Sequence, residues 1–237
     1  MLGEGAGVHG VLVGVAATLS PLSEAATLAM ATGFALAGKR VVVELVDPGG
    51  LQRAADALDD LATLASRSDG AYSPVVLVRV PGGTDTRNVG VPVYIAGRES
   101  DAAEQIDAAL ARGGVAVFVD DTHPDAPEGI APAEPGAPVM LREGAAVTVF
   151  ASGSDIVAAL DGAWSSGADA GVVEVRGPGA LGAAIRSTGR VVVVGEIAAL
   201  PAGLRESFWS LEAPWVSLPR GADADAVSSA IHTVLGA

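Results

Sequence analysis

The stretch SPLSEAATLAMATGFALAGKRVVVE, Ser20 to Glu44, reads as a helix running into a strand. Ser20 or Ser23 is placed to cap the helix, and Gly38 falls where a helix closes in the left-handed conformation. Small residues lie on all faces between Ala25 and Ala37, so the helix is expected to be buried rather than amphipathic. KRVVVELV, Lys39 to Val46, then reads as a strand. Inside this apolar run sits one carboxylate, Glu24. It has two readings. It complements the helix dipole as an ordinary acid of the first turn, or it lies among small residues and must be paired or neutralised there. In the second case desolvation raises its pKa and it can share a proton with a ligand nitrogen.

The same alternation continues outward. LQRAADALDDLATLASRS is a second helix, with a stripe at Leu51, Ala54, Leu58, Leu61 and Leu64. SPVVLVRV is a strand that ends in the turn Pro81, Gly82, Gly83. VGVPVYIAG reads as a strand, RESDAAEQIDAALARGG as a helix with a glycine stop, and VAVFVDD as another strand. From Thr122 to Pro138 periodicity is lost and Pro, Ala and Gly dominate, which marks a linker. Beyond it AVTVFAS, AGVVEVR and RVVVVGE read as strands. GSDIVAALDGAWSSG, PGALGAAIRSTG and DADAVSSAIHTVLG read as helices. Unbroken valine runs suit parallel strands covered on both faces. The expectation is an α/β protein of two domains with mostly parallel sheets, residues 1–121 and 139–237, joined by 122–138.

Composition narrows the function. Half of the 237 residues are hydrophobic but only 4% are aromatic, so the core is built from Val, Ala and Leu. A formal net charge of −14 with no basic patch opposes nucleic-acid binding. There is no cysteine, which excludes disulfide and thiolate chemistry. His9, His123 and His232 are widely separated, and no protein-built metal cage is expected. The start MLGEGAGVHG lacks the pattern of a signal peptide, and no apolar run reaches a membrane span, so a soluble, cytoplasmic protein is expected.

In sheets of this kind ligands sit beyond the carboxyl ends of the strands. Two loops qualify. VPGGTDTR has no phosphate-binding fingerprint. Ser152, Gly153, Ser154 and Asp155 could cap the helix that follows or hold an anion with its amides. The serines have no partnering His in sequence, which leaves no basis for a hydrolase triad.

The stretch around Glu24 also resembles the beta subunit of the decarboxylating component of 2-oxoacid dehydrogenase complexes, in the transketolase-like superfamily. That family carries a TPLSE segment, a helix rich in glycine and alanine, LAG, a basic residue and a VVE strand. The likeness runs through RAADALDDLATLASRSDG and PVVLVRVPGG, and returns at LREGAAVTVFASGSDIVAAL, GVVEVR and STGRVVVVGE. MLGEGAG resembles the family's LGEDVG strand end.

The resemblance implies a transketolase-like pyrimidine-binding domain followed by a transketolase C-terminal-like domain. It implies a thiamine diphosphate site shared with an alpha-like subunit that brings the diphosphate and Mg²⁺ half, in an α2β2 assembly. Glu24 then matches the glutamate that hydrogen-bonds N1′ of the aminopyrimidine and promotes loss of the C2 proton. Glu4 in LGE and Gly50 fall at cofactor-binding positions. The implied reaction is decarboxylation of a pyruvate-like 2-oxoacid with transfer of the acyl or hydroxyalkyl unit.

The chain also departs from the pattern. Gly50 stands where the family has a ring that stacks on the pyrimidine. PGGTDTRNVG lacks the family's HSQ histidine, the helix before LGE has no counterpart, and a long segment after Gly195–Ile197 is absent. These departures support a second reading, a non-catalytic partner that stabilises an alpha-like chain.

Overall fold

The computed structural model describes residues 11–13 (as backbone), 23–86, 89–127, 137–177, 188–195 and 214–236. The chain divides into two units, Met1–Tyr94 with Ala103–Asp120, and Ile95–Ala102 with Asp121–Ala237. Each has its own sheet.

In the first unit, helix α1 spans Glu24–Leu36 and follows its cap residue Ser23, whose hydroxyl accepts from the Ala26 amide at 3.3 Å. Gly38, at φ +77°, stops it, with the Gly38 and Lys39 amides turned back onto the carbonyls of Ala35 and Phe34. The helix is not buried all round as its composition suggested. Thr27, Leu28, Ala31 and Ala35 face inward, while Ala29, Met30, Gly33, Phe34 and Leu36 are exposed. Small residues on every face leave the pattern without direction, so packing alone decides which side is covered.

Strands β1 (Val11–Val13), β2 (Arg40–Glu44), β3 (Val75–Pro81), β4 (Val93–Ala96) and β5 (Val115–Asp120) form a sheet of order β1-β2-β3-β5-β4. The pairs β1/β2, β2/β3 and β3/β5 are parallel. The sheet is buried on both faces, by Val41, Val43, Val76, Val78 and Val117 on one and by Leu77, Ala116 and Phe118 on the other. The second helical pattern breaks at Ala54 into α2 (Gly50–Arg53) and α3 (Ala55–Arg67). Leu51, Ala54, Leu58 and Leu61 of its stripe are buried. Helix α4 spans Glu99–Arg112.

The second sheet has the order β10-β9-β7-β8-β6, from β6 (Val139–Arg142), β7 (Val147–Ala151), β8 (Ala170–Glu174), β9 (Val191–Val194) and β10 (Trp215–Leu218). All its pairings are parallel except that of β6 with β8. Helices α5 (Asp155–Ser165) and α6 (Ala224–Leu235) pack on it around Val147, Val149, Ile156, Ala159, Val192, Val227 and Ile231. The expected α/β class with mostly parallel sheets is what the structure shows. The edge strands β6 and β10 were not read from the sequence. Of the expected linker, 128–136 lie outside the described residues, as does most of the helix expected at PGALGAAIRSTG. No helix among the described residues is long and apolar enough to cross a membrane.

Candidate functional site

Because β1, β2, β3 and β5 run parallel, the chain leaves all four at one edge of the sheet. That edge gathers the start of α1 after β1, the Asp47–Arg53 segment after β2, Pro81–Gly83 after β3, and Asp120 at the end of β5. Such an edge is where ligands bind in parallel α/β sheets.

Glu24 is the first residue of α1 and about a quarter of its side chain is exposed. Its partner is a residue the sequence reading did not single out. Arg53, at the end of α2, donates through Nη2 and Nε to Glu24 Oε1 at 2.5 and 3.1 Å. The same Nη2 also reaches Asp47 Oδ2. Asp47 is itself fixed, since its Oδ1 accepts from the Gly49 amide at 3.0 Å. The Arg53 hydrogen bond holds the Glu24 carboxyl below its ordinary value of 4.5, and burial opposes this only weakly. The rise expected from desolvation among small residues is therefore reversed. Small neighbours leave a carboxylate open to water, and a guanidinium has reached it.

The two glycines before Leu51 shape the surroundings. A Cβ on Gly49 would lie 2.8 Å from Arg53 Nη1, so this glycine makes room for the guanidinium. A Cβ on Gly50 would stand 3.5 Å from Glu24 Cγ, 3.7 Å from Glu24 Oε1 and 3.4 Å from Leu45 Cβ, which is ordinary contact. The structure thus brings Gly50 and Glu24 together. Glu4 lies outside the described residues.

Further along this edge a cavity of about 240 Å³ is lined by Glu44, Leu45, Val46, Arg79, Val80, Pro81 and Asp120. Arg79 pairs with Asp120 and, at 3.4 Å, with Glu44, so its cation is already matched. Among the described residues no cluster of His, Asp and Glu suits a metal ion.

At the corresponding edge of the second sheet the anion reading of Ser152–Asp155 meets a carboxylate of the chain itself. The Ser154 amide donates to Asp121 Oδ2 at 3.0 Å, and Arg220 pairs with the same oxygen at 2.5 Å. Ser154 does not cap α5 with its own hydroxyl. Asp155 is buried, accepts from the Gly221 amide at 2.9 Å, and is pushed up by burial.

Nearby in the same unit Arg98, Asp101, Glu174 and Arg176 form a buried charge cluster. Arg98 and Arg176 meet Glu174 Oε2 at 2.7 and 2.8 Å, and both also reach Asp101. Two cations face two anions, which makes the group self-satisfying in charge, although Glu174 Oε1 and Arg176 Nε have no hydrogen-bond partner among the described residues. Glu174 and Arg176 fall in the GVVEVR stretch, but nothing in the sequence joins them to Arg98, which lies 76 residues before Glu174.

No family model matches the chain, and no curated protein matches it. Solved structures do. A chain described as split gene transketolase, an inactive beta4 tetramer, superposes with a TM-score of 0.71 at 18% identity, over 95% of this chain and 92% of that one. Transketolase from Campylobacter jejuni subsp. jejuni superposes with a TM-score of 0.62 at 13% identity. That match takes in 89% of this chain and 36% of the other, so this chain spans about a third of the full-length enzyme. The class is therefore a transketolase-like α/β fold. At these identities the likeness is one of fold.

Proposed function

We propose that this chain is the beta-like subunit of a two-chain thiamine diphosphate enzyme that decarboxylates a small, pyruvate-like 2-oxoacid and passes on the acyl or hydroxyalkyl unit. The observation that carries the reading is Glu24, a carboxylate at the first turn of α1 on the carboxyl edge of a parallel sheet. It sits beside the buried backbone of Gly50, the position where the resemblance calls for a cofactor contact. A matching fold along nearly its whole length with the split-gene transketolase chain adds support, because that protein too divides the fold between genes. That neighbour is described as inactive when built of beta chains alone, which supports the need for a second, alpha-like chain to bring the diphosphate and Mg²⁺ half, in an α2β2 assembly.

The residues present fit the pyrimidine half of the cofactor in part. Glu24 offers an acceptor for a ring N–H, with Arg53 on Oε1, while the buried backbone of Gly50 packs against its stem beside Leu45. Gly50 stands where the resemblance calls for a stacking ring. Bound, the cofactor supplies the electron sink for decarboxylation. Glu24 supplies the acceptor for the ring proton.

The test is the C2 proton exchange of thiamine diphosphate in the complex reconstituted with the alpha-like chain. Glu24→Gln keeps the shape and removes the charge, and should slow exchange on the order of 10²–10⁴-fold while assembly persists. Equal rates would favour the second reading, a non-catalytic partner. That reading is favoured by Arg53 already satisfying Glu24 and by the bare backbone at Gly50.

A further inference from the structure

We infer that Arg53 is the positioning residue of this site: anchored by Asp47, it holds Glu24 by Oε1, so that the site admits an N–H-bearing cation and refuses anions. The inference rests on the reading of Glu24 as a ligand contact.

Geometry carries it. Both Arg53 bonds to Glu24 fall on Oε1, and a carboxylate has a second oxygen for a further donor. Arg53 is not a loose surface side chain that happens to lie near an acid. Asp47 holds the same Nη2 that meets Glu24, and Asp47 is fixed by the Gly49 amide. Gly49 leaves the space that Nη1 needs, and Gly50 brings buried backbone against the Glu24 stem. Two adjacent glycines thus serve two ends of one arrangement.

Charge decides the kind of ligand. Two carboxylates and one guanidinium leave the group with an excess of one negative charge. A phosphate or carboxylate reaching Arg53 would have to displace Glu24 or Asp47 in a chain of net charge −14. A protonated nitrogen heterocycle would add the missing cation.

Direction of titration agrees. Glu24 and Asp47 are both held below their ordinary values, Glu24 chiefly by its bond from Arg53 and Asp47 chiefly by the Gly49 amide. Among the described residues no other charged group pairs with Glu24. The acids of α3 include Asp60, which pairs with Arg67, and at the ends of β2 and β3 Glu44 and Arg79 pair with one another.

The isolated full chain suffices for the test. The Glu24 carboxyl carbon is followed by NMR as pH is lowered, alone and with 4-aminopyridine, which stays a cation throughout the acid range. In the wild-type chain aminopyridine binding should persist to a lower pH than in Arg53→Gln, where Glu24 takes its proton earlier. Arg53→Lys should restore part of the difference. Gly49→Ala should shift the profile in the same direction as Arg53→Gln, because it crowds the guanidinium without removing it. Glu24→Gln should weaken aminopyridine by about tenfold or more at neutral pH. An unchanged Glu24 titration in Arg53→Gln overturns the inference whatever the probe does. So does binding of inorganic phosphate or benzoate with shifts at Arg53, which would make it an anion anchor. A shifted titration with no aminopyridine binding upholds the role of Arg53 and counts instead against the cofactor reading.

Discussion

Gly50 lies against Glu24, close enough that any side chain at that position would start in contact with the carboxylate stem. The contact is an ordinary one, and Gly50 is not in the left-handed region that needs glycine. Nothing in the local backbone demands a bare residue there.

Gly50→Ala should accordingly be accepted. It removes unfolded-state freedom at the first residue of α2, and about 0.5 kcal/mol of added stability is expected in urea denaturation. A loss of stability would mean that the flank of Glu24 is tighter than this geometry gives.

Gly162 on α5 should behave oppositely. A Cβ there would lie 2.5 Å from Val227 Cβ and 2.7 Å from the Ala224 carbonyl oxygen on α6. Backbone cannot rotate aside, so Gly162→Ala must push the two helices apart, at a cost of roughly 1–3 kcal/mol. A melt of this variant matching wild type would overturn the close α5–α6 packing.

The Glu24–Arg53 pair sets a pH window. Glu24 has a folded pKa below its ordinary 4.5, so the pair's contribution is fully present above that value and is lost as pH falls through the folded one. Both side chains are substantially exposed, so the effect is small and screened by salt. Thermal melts between about pH 3 and pH 6 should show wild type and Arg53→Gln converging at the acid end. A gap between them that widens on acidification would contradict the assignment.

Glu174 is completely buried and pairs with Arg98 and Arg176; burial pushes its carboxyl up, and Arg98 opposes this only in part. Glu174→Leu leaves two guanidiniums with only Asp101 between them, which should cost on the order of 3–5 kcal/mol. Pairing it with Arg98→Met should recover part of that loss. Urea denaturation of the two variants measures the difference, and strict additivity would argue against a shared cluster.

The strands were legible where valine runs made them so. Val41–Val43, Val75–Val78 and Val191–Val194 cannot be satisfied except in a covered sheet, and the first two are strands of the first sheet and the third a strand of the second. Edge strands lacked that signal: Trp215–Leu218 alternates in exposure and looks like loop in sequence. Glu24 could be singled out because it interrupts an apolar run, and Ser23 because it precedes one. Arg53 could not. It is an ordinary surface cation in the sequence, and only the turn of chain through Asp47 and Gly49 carries it to a partner 29 residues away. The direction of the Glu24 titration followed from that unseen contact, which is why burial alone misjudged it.

The assignment of Ile95–Ala102 to the second unit, ahead of Ala103–Asp120 in the first, has a consequence for how this protein can be divided and inherited. The polypeptide changes units three times, so neither half is a contiguous cassette. A cut at the proline-rich stretch would leave Arg98 and Asp101 on one fragment and Glu174 with Arg176 on the other, severing the Arg98–Glu174 and Arg176–Asp101 pairs of one buried cluster. Recombination that swaps one half for a homologous one would have to preserve both sides of that match. The chain is consequently best regarded as a single heritable block, exchanged whole or not at all.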